Sequence, residues 1–274
     1  MATAARSTIA RRRRRSNASR VIAKRARAGP DIHADAVLRP SFEQFPESVF
    51  GRYFIDGVLS YFHAELVGVE HVPQHGGALI VANHGPFGFD AFILGALLWR
   101  HKHRLATWLA DRNLWKTPGL AQTLDWLNAI PGTPEDAVAE LRKGEIVIVY
   151  PGGIFDSYKH VRDRHKLKWR GRAGFARVAM QANAPIVPVA ACGVDDMYRV
   201  VGRDPLLGRV LFGDRRYNLP IALGRYGTLV PRPAKVTVHA LAPVFPEGDA
   251  NHPADVERIR RHVHDSIQSK LDET

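Results

Sequence analysis

A histidine placed directly after a run of apolar residues is the first feature with chemical reach. Ala78-Leu-Ile-Val-Ala82 is followed by Asn83-His84-Gly85-Pro86-Phe87-Gly88-Phe89-Asp90. An imidazole can take a proton from a hydroxyl near neutral pH, and a carboxylate accepting its other ring N–H holds the tautomer and stabilises the imidazolium. His84 and Asp90 are therefore a candidate catalytic pair. Either one alone has a plainer reading, a turn histidine or a helix cap. The apolar run before them reads as a buried strand, and open α/β sheets place their sites at such strand ends. The two glycines and the proline of Gly85–Phe89 bend the loop and let a substrate approach the backbone.

A second apolar run, Glu145-Ile-Val-Ile-Val-Tyr150, ends at Pro151-Gly152-Gly153. Main-chain N–H groups exposed at these glycines could stabilise an oxyanion or admit an acceptor; a tight turn is the plain alternative. Asn83, Gly85, Pro86, Tyr150, Pro151, Gly152 and Gly153 are thus candidate substrate contacts. Downstream lies a basic cluster, Lys159, Arg162, Arg164, Lys166, Lys168, Arg170 and Arg172. Lys159, Arg162, Lys168, Arg170 and Arg172 are candidates for phosphate or coenzyme A contacts, against a solvated loop. No His, Asp and Glu cluster has metal-ligand spacing, and Cys192 stands alone, so neither a metal site nor a disulfide is expected. The Gly-x-Ser-x-Gly elbow of hydrolases and the phosphate-binding Gly-x-x-x-x-Gly-Lys-Ser/Thr loop are both absent.

The elements that must position these residues alternate. Strands are expected at 65–69, 78–82, 104–110, 145–150, 186–191 and 236–241, and helices at 90–100 with Asp90 as N-cap, 120–127, 134–143, 169–183 and 254–271. That alternation argues one mixed, mostly parallel sheet with helices on both faces. Ahead of it, the large apolar residues between Phe42 and Phe62 are spaced for one or two amphipathic helices, packed on the core or lying in a lipid interface.

Several blocks resemble, in order, those of the glycerolipid acyltransferase family, which includes lysophosphatidic acid acyltransferases. They are Glu70-His-Val-Pro73 with Gly76-Gly-Ala-Leu-Ile-Val-Ala-Asn-His84, then Asn128-Ala-Ile-Pro-Gly-Thr133, Val149-Tyr-Pro-Gly-Gly153 and Ala184-Pro-Ile-Val-Pro-Val189. The Gly-Gly third block, Trp169-Arg-Gly-Arg-Ala-Gly-Phe-Ala-Arg177 and Leu219-Pro-Ile-Ala-Leu-Gly-Arg-Tyr-Gly-Thr-Leu-Val-Pro231 are similar to the monoacylglycerol and diacylglycerol acyltransferase-like branch. The resemblance implies a glycerol-3-phosphate acyltransferase-like fold and transfer of an acyl group from acyl-CoA or acyl carrier protein to a lipid hydroxyl. His84 would be the general base, and no cofactor beyond the thioester co-substrate is required. Two departures stand out. The family usually has four residues between His and Asp, whereas five lie between His84 and Asp90. Where members acting on phosphorylated acceptors carry Arg or Glu, this chain has Pro134, Gly152 and Phe155, which favours a neutral acceptor. A lysophospholipid acceptor, or a lipid-binding protein that has lost the chemistry, are the alternatives.

The chain of 274 residues carries a net charge of +12, located mainly in its start: residues 1–30 hold Arg6, Arg11 to Arg15, Arg20, Lys24, Arg25 and Arg27 and no acid. The remainder is nearly neutral. Residues 1–30 are therefore expected as a disordered basic arm for anionic lipid or nucleic acid, a transit-type leader or a solvated extension, 31–64 as the amphipathic helical segment, and 65–274 as one α/β domain. No run approaches the roughly 18 apolar residues of a membrane span. A peripheral place on a membrane, at its cytoplasmic face, is expected. Nucleic acid is disfavoured, because no basic pattern with interleaved aromatics continues into the domain.

Overall fold

The computed structural model describes residues 45–116, 120–204, 209 and 219–274. The basic arm expected at 1–30 lies outside them, as does the first part of the 31–64 segment. The described strands are β1 (Glu65–Val67), β2 (Ala78–Ala82), β3 (Ala106–Ala110), β4 (Ala129–Pro131), β5 (Ile146–Val149), β6 (Ile186–Cys192), β7 (Arg199–Asp204), β8 (Leu219–Leu223) and β9 (Thr237–Ala240). The helices are α1 (Val49–Tyr61), α2 (Phe89–Lys102), α3 (Leu120–Trp126), α4 (Pro134–Arg142), α5 (Ile154–Ser157), α6 (Gly174–Ala182) and α7 (Pro253–Asp272).

Seven strands form one sheet in the order β1-β9-β6-β2-β5-β3-β4, and β7 pairs with β8 in a separate antiparallel ribbon. Pairing is parallel except between β6 and β9. Strand β2 is central and buried along its whole length, because successive side chains feed two different cores. Ala78, Ile80 and Ala82 join Ile146 and Ile148 under α1 and α2, with Leu59, Phe62, Ile93 and Leu97. Leu79, Val81 and Val147 face α4, α6 and α7 through Leu141, Phe175, Val178, Ile259 and Val263. Burial at roughly 1.5–3 kcal/mol for each Leu, Ile or Val explains why the run has no polar interruption.

From β2 the chain departs toward β3 on one side, whereas after β5 it crosses to β6 on the other. The carboxyl end of β2 is therefore the point where connections diverge, the place at which open α/β sheets put their sites. Helix α1 begins at Ser48, whose Oγ accepts from the Gly51 N–H at 2.9 Å. The helix expected from Trp169 starts only at Gly174, because Arg170 and Gly171 take positive φ (52° and 71°) while Trp169 is buried edge-on to Phe175. Asp90 is not an N-cap: α2 is capped by Gly88 in the left-handed region, and Asp90 is its second residue.

Candidate active site

The end of β2 is anchored by a residue expected to touch substrate. Asn83 is fully buried; its Nδ2 donates to the Ala191 carbonyl at 3.0 Å and its Oδ1 accepts from the Ala191 N–H at 2.7 Å. Its amide thus ties β2 to β6 and contacts no open space. The next backbone N–H, that of His84, donates to Asp156 Oδ2 at 2.9 Å. With its main chain fixed on both sides, His84 presents a side chain that is 20 % exposed.

Between His84 and Asp90 the chain makes a short 3₁₀ turn at Pro86–Gly88, with Phe87 and Gly88 both at positive φ (59° and 75°). This tight turn takes up the additional residue of the loop. Asp90 then sits in the first turn of α2, where the helix dipole favours a carboxylate. His84 Nδ1 donates to Asp90 Oδ2 at 2.8 Å, and the Asp90 side chain is only 1 % exposed. The imidazole also lies flat on the Tyr150 ring, with centroids 4.1 Å apart and planes 19° from parallel. The hydrogen bond to Asp90 engages Nδ1 and leaves Nε2 outside it.

Burial alone would lower the pKa of His84, but the Asp90 charge and hydrogen bond, with the Asp156 charge, hold it above the ordinary histidine value. Tyr150 is pushed well up by burial and by the neighbouring Asp90 charge. Its hydroxyl and Asp90 Oδ1 are both buried without a hydrogen-bond partner of good geometry, so the phenol feels the carboxylate electrostatically. The arrangement is a polarised imidazole at a divergence point of the sheet, with the groups that acid–base chemistry would need.

Residues 63–191 match the family model described as Acyltransferase. Over 196 residues the chain is 32 % identical to a Bos taurus protein named "DGAT1/2-independent enzyme synthesizing storage lipids", covering 68 % of this chain and 58 % of that one. An uncharacterized Mycobacterium tuberculosis protein is 31 % identical over 222 residues, 78 % of this chain and 61 % of that one. The chain therefore spans about three fifths of the length of the curated relatives it matches. The crystal structure of the 1-acyl-sn-glycerophosphate acyltransferase PlsC from Thermotoga maritima superposes with a TM-score of 0.50 at 19 % identity, covering 81 % of this chain and 80 % of that one. Residues 63–191 are an acyltransferase-family domain. The superposition shows the fold, a mostly parallel sheet flanked by helices, as the alternation of strands and helices implied.

In this acyltransferase domain the third block is built around a carboxylate that sequence reading did not single out. Asp156 is fully buried; besides the His84 N–H, its Oδ1 accepts from the Lys168 N–H at 3.1 Å and lies 3.4 Å from Lys159 Nζ. Gly152 has to be glycine here, since a Cβ would lie 2.2 Å from Asp156 Cβ. The Gly153 N–H donates to the Tyr150 carbonyl at 3.0 Å, so it serves the turn and not an oxyanion. Gly85 is wedged against Val194, and its carbonyl accepts from Ser157 Oγ at 2.7 Å. Pro86 is the buried first residue of the 3₁₀ turn.

Lys159, expected to contact phosphate, is instead buried between Asp195 at 3.0 Å and Asp156 at 3.4 Å. Burial would lower its pKa, yet the two carboxylates hold it above the usual lysine value. Lys168 pairs with Asp163 at the surface, Arg162 is exposed, and the Arg170 guanidinium lies over the Phe155 ring at 3.5 Å. Arg172 differs. Its Nη1 donates to the Pro151 and Gly152 carbonyls at 3.1 and 3.2 Å, and it lines a cavity of about 350 Å³ together with Tyr150, Pro151, Thr133 and Gly174. On the opposite face of the sheet, an apolar groove runs between Phe54 and Val58 of α1, Phe92 and Trp99 of α2, and Trp108 of β3.

Proposed function

We propose that the chain is an O-acyltransferase that moves a fatty acyl group from a thioester, acyl-CoA or acyl carrier protein, to the hydroxyl of a lipid acceptor. The observation that carries the reading is the 2.8 Å bond from His84 Nδ1 to Asp90, which leaves Nε2 as a proton acceptor on a strand end. Nε2 takes the acceptor's hydroxyl proton as the oxygen attacks the thioester carbonyl. The C–S bond then breaks, and the thiolate leaves with little need of acid assistance. Asp90 stabilises the imidazolium, Tyr150 restricts the ring's tilt, and neither a metal nor a further cofactor enters.

A neutral acceptor, such as a monoacylglycerol, a diacylglycerol or another lipid alcohol, is favoured. Pro134, Gly152 and Phe155 supply no charge where a phosphate would need fixed donors, and the bovine relative is named for making storage lipids. The apolar groove under α1 and α2 suits an alkyl chain. Arg172 supports a second reading, a phosphorylated acceptor or the phosphates of coenzyme A, because it lines the cavity beside Tyr150. Such substrates require work at a membrane surface, for which the cytoplasmic face fits a chain with one buried free cysteine. Among the described residues, no helix is long and apolar enough to cross a membrane.

The test is turnover by the purified protein on a panel of acyl thioesters and lipid alcohols, with and without phosphate, beside His84→Ala. Loss of turnover by about 10² or more in the variant is expected. Unchanged turnover removes His84 as base, and a wild-type protein inert on every pair favours a lipid-binding role.

A further inference from the structure

The loop after β8 presents large apolar side chains to solvent: Tyr226 is 88 % exposed, Leu229 74 % and Val230 54 %. The loop is closed by its own hydrogen bonds. The Gly224 N–H donates to Thr228 O at 2.8 Å, the Arg225 N–H to Val230 O at 2.7 Å, and Thr228 Oγ1 to Arg225 O at 2.7 Å. Tyr226 is held at φ 53°, an uncommon backbone for a bulky aromatic, and this conformation keeps the ring outside.

The same loop is fastened to the catalytic region. Tyr198 Oη donates to Leu229 O at 2.6 Å, and Tyr61 Oη to Pro231 O at 2.7 Å. The buried Tyr198 ring in turn packs against Phe87 at 4.9 Å and Phe89 at 6.1 Å, both within the segment joining His84 to Asp90. Phe87 is itself 41 % exposed. Tyr198 thus bridges the apolar loop and the catalytic loop.

Charge in this stretch has one sign. Residues 219–236 contain Arg225, Arg232 and Lys235 and no acid. Arg225 is exposed over the Tyr226 ring at 5.0 Å, and Arg199, opposite Leu223 in the β7–β8 ribbon, is exposed as well. An aromatic and two aliphatic side chains beside exposed arginines match the boundary between anionic headgroups and acyl chains. We propose that the loop 224–231 is a bilayer-seating element. Tyr226, Leu229 and Val230 enter the interface of an anionic membrane, Arg225 meets lipid phosphates, and the exposed Phe87 beside Tyr198 is brought toward the membrane plane. The purpose of this seating rests on the reading of a lipid acceptor, but membrane insertion can be measured without turnover.

The experiment uses the full chain with Tyr226→Cys labelled by an environment-sensitive fluorophore; the native Cys192 is buried, so labelling is selective. Vesicles of phosphatidylcholine with phosphatidylglycerol should shift the emission to the blue, and spin-labelled lipid should quench it. A label at the exposed Asn251 should respond to neither. Converting Tyr226, Leu229 and Val230 together to Ser should weaken vesicle binding at least about tenfold without lowering the melting temperature. Two results overturn the proposal. One is a water-exposed label on vesicle-bound protein, which would assign binding to another segment. The other is a blue shift that follows protein concentration without vesicles, which would make the loop a contact between copies. Failure of turnover alongside successful insertion would count against the catalytic reading and leave this one standing.

Discussion

Asp90 reaches His84 from six positions along the chain only because Phe87 and Gly88 both adopt left-handed backbone, and the resulting bond sets the sign of the site's pH response. A general base must be neutral to act. With His84 held above the ordinary value of about 6.5, kcat/KM should rise with pH through an apparent pKa higher than that. In Asp90→Asn the larger part of the attraction is removed, leaving the Asp156 charge against burial, so the limb should move to lower pH while its plateau drops about 10² or more. A limb that stays in place would detach Asp90 from the imidazole. The same shift has a stability counterpart. A folded-state pKa raised above the unfolded value contributes stability that is complete below the unfolded pKa and lost as pH rises through the folded one. The advantage of wild type over Asp90→Asn in unfolding free energy should therefore shrink across that window.

At the scale of elements, the third block and its basic loop are joined to the catalytic strand by buried charge. Asp156 accepts from His84, Lys168 and Lys159, and Lys159 also meets Asp195 ahead of β7. Lys159→Met would leave two buried carboxylates without a cation, a loss of about 3–5 kcal/mol, or about 6–20 °C in Tm. Adding Asp195→Asn should return part of it. A Lys159→Met protein with unchanged Tm and weakened coenzyme A binding would instead restore Lys159 as a phosphate contact. This network was not legible in the sequence. Asp156 follows Ile154 and Phe155 with no motif around it, and its partners lie up to 72 positions away. By contrast, β2, β5 and β6 are unbroken apolar runs that only a sheet covered on both faces can bury, and they were legible, with His84 at the end of one. The three-residue β4 and the β7–β8 ribbon gave no comparable signal. The start of α6 was misplaced because a positive φ at Arg170 cannot be read from residue type.

Over the whole molecule the basicity is separated from the catalytic fold, since ten of the 39 Lys and Arg residues fall within the first thirty and the rest of the chain nearly balances its acids. Attraction between such a segment and an anionic surface grows by roughly 1 kcal/mol per cation near the headgroups and weakens with salt. Contact by an apolar loop depends on buried area and resists salt. The two modes can therefore be separated by one titration. Sedimentation with anionic vesicles at rising NaCl should show, for the full chain, strong binding at low salt that declines to a salt-insensitive remainder. Removing residues 1–30 should abolish most of the salt-sensitive part, all but the small share owed to Arg225, and leave the remainder, together with the response of a label at position 226. Undiminished low-salt binding after the truncation would show that the basic segment is not an anchor. Loss of both parts would show that the arm is the main attachment and that the loop does not hold the bilayer unaided. Because the body is close to neutral, long-range attraction to a charged surface has little source outside this segment, so its removal should slow the approach to vesicles more than it alters turnover on a dispersed substrate.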